Sequence, residues 1–231
     1  MRMRSSAFKQ RTVQGALLLR GFSLLMAALP AAVASAATLS VTVRTADGKP
    51  MVGAVVTARS LEPTSRPAPP AHEAMSQANL TFVPDLLLVP VGSLIDFPNN
   101  DSVNHQIYSF SPAKRFQLAL YRGKPYPPVR FDQPGLVTLG CNIHDAMLAY
   151  IVVTDAQFFG RTDAAGVWSA TKVLAGKYRI IVWHPRLRDE PKTLEREIVV
   201  DATDRHQVTL QLAKSLKPAP LEAHPHSWNT Y

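Results

Sequence analysis

Four side chains in this sequence could together hold a redox metal. Cys141, His144 and Met147 fall within one short segment, spaced C-x2-H-x2-M, and His105 precedes them. Copper cycling between two oxidation states favours a soft thiolate and thioether for the reduced ion and imidazoles that suit both. A trigonal His2Cys set with a weak axial Met supplies that combination. Taken singly, each residue has a plainer reading: a lone Cys packs in a core, a lone Met fills a gap, a lone His sits at the surface. Cys141 is the sole cysteine of the chain, so no disulfide partner exists within it. Together the four point to one copper ion, with His105, Cys141, His144 and Met147 as its ligands.

Holding such a set requires a rigid frame, and the surrounding sequence reads as β-structure. Nineteen prolines and frequent Val, Ile, Leu and Thr segments favour short strands and turns over long helices. Residues 148–153 and 135–139 read as strands flanking the Cys/His/Met loop, and His105 begins another strand after the turn Asn99-Asn100-Asp101. Residues 79–98 read as two or three short strands broken by Pro84, Pro90 and Gly92. Upstream, Leu39 to Arg44 and Gly53 to Ala58 alternate like strands around the turn at Asp47-Gly48, so that residues 38–58 are predicted to form a hairpin. Four prolines between Pro63 and Ala71 predict an extended linker and a boundary. Downstream, Gly176 to Trp183, Arg196 to Val200 and His206 to Leu212 read as further strands, and residues 213–231 as a flexible tail.

From Asn79 to Val153 the sequence resembles the cupredoxins. Leu88-Val-Pro-Val-Gly92-Ser-Leu-Ile-Asp-Phe97-Pro-Asn-Asn-Asp101, followed by His105, is similar to the region ending at that family's first ligand histidine. Val137-Thr-Leu-Gly-Cys141-Asn-Ile-His144-Asp-Ala-Met147 through Val153 is similar to its ligand loop and last strand, with the short spacing of amicyanin. The resemblance implies a Greek-key β-sandwich over residues 72–154, a blue type 1 copper centre and one-electron transfer. It also implies that the edge of His144 reaches an apolar docking patch, for which Pro112, Pro125, Pro127, Pro128 and Leu148 are the expected rim. Many members carry Asn directly after the first ligand His to tie the two ligand loops together. Here Gln106 stands in that place, and Asn104 or Asn99 is the candidate for the tie.

Residues 38–58 and 159–212 carry a second resemblance, to a small Ig-like, transthyretin-like sandwich of the carboxypeptidase-regulatory type. The segments Leu39 to Val56, Thr162 to Gly166 and Gly176 to Pro185 bear it. It implies an all-β chain in which the copper module is inserted within this sandwich, a tandem arrangement being the alternative. A lone hairpin is marginal in water. Under insertion, the partners of residues 38–58 come from beyond residue 159. The two-part build resembles proteins labelled methylamine-utilization proteins, which suggests an electron acceptor near an amine dehydrogenase.

Compartment and charge follow from the first 36 residues. Five basic side chains, no acidic ones, a short apolar run and Ala34-Ser35-Ala36 read as a cleavable signal peptide of an exported, periplasmic protein, a retained anchor being the other reading. Of the net charge of +8, five units belong to this segment. No Lys/Arg stripe interleaved with aromatics remains downstream, which excludes a nucleic-acid partner. No later apolar run approaches the roughly twenty residues of a membrane helix. The expected partner is a redox protein, cytochrome c-like or dehydrogenase-like. An enzyme with several coppers would need further His pairs, and only His224-Pro-His226 in the tail offers one. A copper carrier or store, and a purely structural sandwich, are the competing readings. His184 reads as structural, and His72 and His206 show no ligand pattern.

Overall fold

The computed structural model describes residues 36–63, 65–189, 194–201 and 205–218. Residues 1–35 of the expected signal peptide, and residues 219–231 of the expected tail with His224 and His226, lie outside the described residues, while Ala213 and Lys217 of that tail donate to Asp189 and to Arg186 O. Among the described residues seventeen strands follow one another. They begin with β1 (Ala36–Arg44), β2 (Val55–Ser60), β3 (His72–Ala74), β4 (Ser76–Ala78), β5 (Thr81–Val83), β6 (Leu86–Pro90) and β7 (Ser93–Asp96). Then come β8 (His105–Ser111), β9 (Lys114–Tyr121), β10 (Val129–Phe131), β11 (Gly135–Gly140) and β12 (Leu148–Thr154). The chain closes with β13 (Phe158–Arg161), β14 (Val167–Leu174), β15 (Gly176–Trp183), β16 (Glu195–Val200) and β17 (Arg205–Gln211). The protein is all-β, and its strands enclose two cores.

The first core lies between a sheet of order β14-β1-β17 and one of order β13-β2-β15-β16. Strand β1 shows why it belongs there: Ala37, Leu39, Val41 and Val43 alternate with partly exposed residues, so one face of the pleat is apolar and enters the core. Val56 and Ala58 of β2 and Tyr178, Ile180 and Val182 of β15 close over it from the other sheet. β1 runs antiparallel to β14 and parallel to β17, and β2 is antiparallel to β13 and β15.

The hairpin expected over residues 38–58 does not form. β1 and β2 lie in opposite sheets, and the bridge Arg44 to Pro50 only folds the connecting segment back on the end of β1. The connection is too long and too rich in turn residues for a tight hairpin loop. It turns at Gly48 and again at Gly53, both with positive φ, and carries the chain from one sheet to the other. Both strands are apolar on the face that must be buried. Facing each other across a core satisfies them better than lying side by side.

The second core is sandwiched between the five-stranded sheet β6-β12-β11-β8-β9 and the short sheet β10-β7-β3. Ile95 and Phe131 come from the short sheet, and Ile107, Val137, Leu139 and Ile151 from the long one. The expected linker through Pro63 to Ala71 is not free of the sandwich: Ala68 donates to Ala156 O and Ala71 O accepts from Leu94 N. The outer face of the five-stranded sheet meets the outer face of β2 and β15. There the Tyr150 and Trp183 rings stand 5.3 Å apart and Arg59 pairs with Asp155 at 3.0 Å. This contact explains why Val55, on the outward face of β2, is buried. Among the described residues no helix is long and apolar enough to cross a membrane.

Candidate metal centre

The two central strands of the long sheet deliver the chemistry-bearing residues to one end. β11 and β12 are antiparallel and register Gly140 opposite Leu148, so residues 141–147 form a closed loop at the sheet end. β11 touches β8 through Gly140 and Tyr108, which sets the loop beside the start of β8, where His105 lies. Gly140 leaves room for this approach: a Cβ there would sit 2.8 Å from the end of the Tyr108 side chain.

His105, Cys141 and His144 converge. His105 Nδ1 and His144 Nδ1 are 3.1 Å apart, and Cys141 Sγ stands 3.6 Å from His144 Nδ1 and 3.9 Å from His105 Nδ1. A point equidistant from these three atoms lies about 2.1 Å from each, within the range of about 2.0–2.3 Å for metal bonds to imidazole and thiolate. The donor set therefore fits a single small metal ion, and two imidazoles with one thiolate are compatible with copper. Met147 is buried on the same loop and shares the core with Cys141, and its backbone N–H donates to His144 O at 2.9 Å.

Burial divides these residues by role. His105 is 0% exposed, Met147 2% and Cys141 3%, whereas His144 is half-buried. Ile143 and Leu148, both exposed, flank it along the chain. The site is thus closed on three sides and open at the His144 edge.

Behind the ring of His105 stands a carboxylate. The ring Nε2 lies 2.8 Å from Asp101 Oδ2, and a carboxylate only accepts, so Nε2 carries the proton and Nδ1 turns a lone pair toward Cys141 and His144. Burial raises the Asp101 carboxyl, but hydrogen bonds from Leu80, His105 and Asn79 outweigh it and leave the group below the ordinary carboxylate range. Burial, reinforced by the neighbouring His105, pushes His144 below its ordinary value against an opposing pull from Asp101. His144 is accordingly neutral near pH 7, with a lone pair to offer. Beneath His105, the Tyr121 hydroxyl donates to Phe97 O at 2.6 Å and accepts from Gln77 at 2.5 Å. Burial pushes that hydroxyl up to about 12, so it is an uncharged strut.

Three expectations change here. Asn99 does not link the two ligand loops: its amide donates to Val103 O and Tyr121 O, and its Oδ1 accepts from Asp101 N, all on the His105 side. Asn104 is exposed. Pro112 is not at the rim of the site, because it lies in the turn after β8, about 20 Å of strand away from His105. Asp101 was expected only as a turn residue. Its signal was the spacing of a carboxylate four residues before the ligand His.

No protein-family model matches the chain, and no curated protein matches it in sequence. Among the solved structures it resembles are cupredoxins and a copper enzyme. A purple cupredoxin from Nitrosopumilus maritimus is 20% identical with a TM-score of 0.32, over 36% of this chain and 99% of that one. A reduced amicyanin variant is 17% identical with a TM-score of 0.32, over 42% and 99%. A copper-containing nitrite reductase from Thermus scotoductus is 20% identical with a TM-score of 0.34, over 42% of this chain and 25% of the enzyme.

Proposed function

We propose that this chain is an exported type 1 copper protein that carries single electrons between redox partners, with one ion held by His105, Cys141, His144 and Met147. The observation that supports it is the triangle of two imidazole nitrogens and one thiolate sulfur, sized for one ion and prepared by the chain itself. When bound, copper supplies a one-electron couple. The chain's own part is to keep the donors in place, to exclude water from His105 and Cys141, and to bring the His144 edge to the surface.

Burial of the donors favours this reading over a copper carrier or store, whose ion must exchange. A partner would meet the edge of His144 between Ile143 and Leu148, an apolar spot suited to the small, short-lived interfaces of electron carriers. The docking protein would be cytochrome c-like or dehydrogenase-like. The pairing of β1 and β2 with strands beyond residue 157 supports a copper domain of residues 72–154 inserted in a second sandwich built from residues 38–58 and 159–212.

Voltammetry of the copper-loaded protein tests the proposal. It should give one reversible one-electron wave, and Met147→Gln should retain copper while moving the potential downward. Copper that exchanges rapidly with a chelator and gives no reversible wave would establish the carrier reading instead.

A further inference from the structure

Asp101 stands outside the expected ligand set, yet its carboxylate is the best-held acidic group near the site. Oδ2 accepts the Nε2–H of His105 at 2.8 Å and the backbone N–H of Leu80 at 2.8 Å, and Oδ1 accepts the N–H of Asn79 at 3.0 Å. Its own N–H is taken by Asn99 Oδ1 at 2.9 Å. The side chain is 13% exposed and the His105 ring it meets is fully buried. Every oxygen of the carboxylate therefore has a defined partner.

The turn that grips it is unusual. Asn79 and Leu80 link β4 to β5 with φ of 54° and 58°, both left-handed, a conformation that asparagine tolerates but leucine seldom adopts. A two-residue turn of this kind is normally built with glycine. Here two successive N–H groups point at one carboxylate, which compensates for the unfavourable backbone.

We propose that Asp101 is a positioning residue of the metal centre: held by the Asn79–Leu80 turn, it locks His105 in the ring orientation and tautomer that aim Nδ1 at Cys141 and His144. The inference rests on the copper reading for its purpose but not for its geometry. A buried imidazole without this partner could flip or move its proton to Nδ1, and either change would remove a lone pair from the donor triangle. With the partner in place, the first ligand is set before any ion arrives. Partners behind metal-bound histidines commonly influence metal affinity by about 10–100-fold.

The test separates positioning from mere support of the turn. In an Asn79→Gly, Leu80→Gly background, where glycines satisfy positive φ unaided, Asp101→Ala can be introduced with the turn no longer dependent on the carboxylate. Nitrogen-15 NMR of the metal-free protein then reads the His105 tautomer, and competition with a chelator reads zinc affinity. The expected result is a fixed Nε2–H form with Asp101 present, mixed tautomers after Asp101→Ala, and zinc affinity lower by about 10–100-fold. An unchanged tautomer and affinity would overturn the inference and reduce Asp101 to a support of the turn. Failure of the parent protein to bind either zinc or copper would refute the copper reading instead, and the tautomer of the metal-free chain would still decide the role of Asp101.

Discussion

The two cores of this chain treat polar side chains differently. In the core that holds β1 and β15, the buried polar side chain among the described residues is Thr162, whose hydroxyl bonds Ala54 N and Met51 O and so only splices local backbone. In the core that holds β8 and β11, Gln77, Ser93, Asn99, His105 and Ser109 are all buried. Enclosing polar groups is costly unless each finds a partner. Several of these gather near one end of the sheet, where Asn99 braces the turn before His105 and Gln77 braces Tyr121 beneath it. Packing alone explains the first core. The second also gathers Gln77, Asn99 and His105 toward the end of the sheet where Cys141 and His144 lie.

Truncating one large residue in each core gives the largest expected effect. Ile151→Ala and Ile180→Ala each remove a fully buried side chain and should each cost about 2–5 kcal/mol by urea denaturation. Ile151 shares its core with Cys141 and Met147, so only that variant should also weaken copper binding. An equal loss of copper affinity in Ile180→Ala would break the distinction between the cores.

A gentler pair of variants sharpens the same contrast. Each sandwich has a glycine pressed under an aromatic ring: Gly140 under Tyr108 and Gly160 under Trp168. Replacing either with Ala should cost about 1–3 kcal/mol through overpacking. Because Gly140 adjoins Cys141, only Gly140→Ala should alter the optical spectrum of the copper-loaded protein. A spectrum unchanged by Gly140→Ala would show that the loop tolerates displacement of Tyr108.

The smallest effect is on pH dependence, and it belongs to the strand end of β15. Burial, aided by Arg186 and Arg161, holds His184 below its ordinary 6.5, with Asp85 opposing. The unfolded chain therefore takes up this proton first as pH falls. Stability should be level above pH 6.5 and decline below it, until the folded imidazole also titrates. In the metal-free protein His144 adds a decline of the same sign. Urea midpoints on either side of pH 6.5 should show a shallower slope in His184→Gln, with the remainder left by His144. An identical slope would mean that His184 is not held neutral by the fold.

Much of this architecture was legible in the sequence, and the failures have physical causes. β12 and β15 fall where alternation and bounding turns place them, at Leu148–Thr154 and Gly176–Trp183. β3 and β4 are three residues each, too short to show a period. β14 hides its period because Lys172, at φ 59°, breaks the alternation between Ala170 and Val173. Alternation reveals which face of a strand is buried but not its neighbour, which is why residues 38–58 read as a hairpin. At the site, Cys141, His144 and Met147 were visible because they share one loop, and His105 because it follows a turn into a strand. The grip of Asp101 on both His105 and the Asn79–Leu80 turn was not, since it exists only once β4, β5 and β8 have been brought together. Pro112 was misplaced for the same reason: a hairpin carries its turn away from its open end.

The visible spectrum of the oxidised, copper-loaded protein tests the central claim most directly. Charge donated from the Cys141 thiolate to a single copper ion should make it intensely blue at one copper per chain, and Cys141→Ser should abolish the colour while the protein stays folded. A folded, copper-loaded protein that is colourless, or a blue colour that survives Cys141→Ser, would contradict the account.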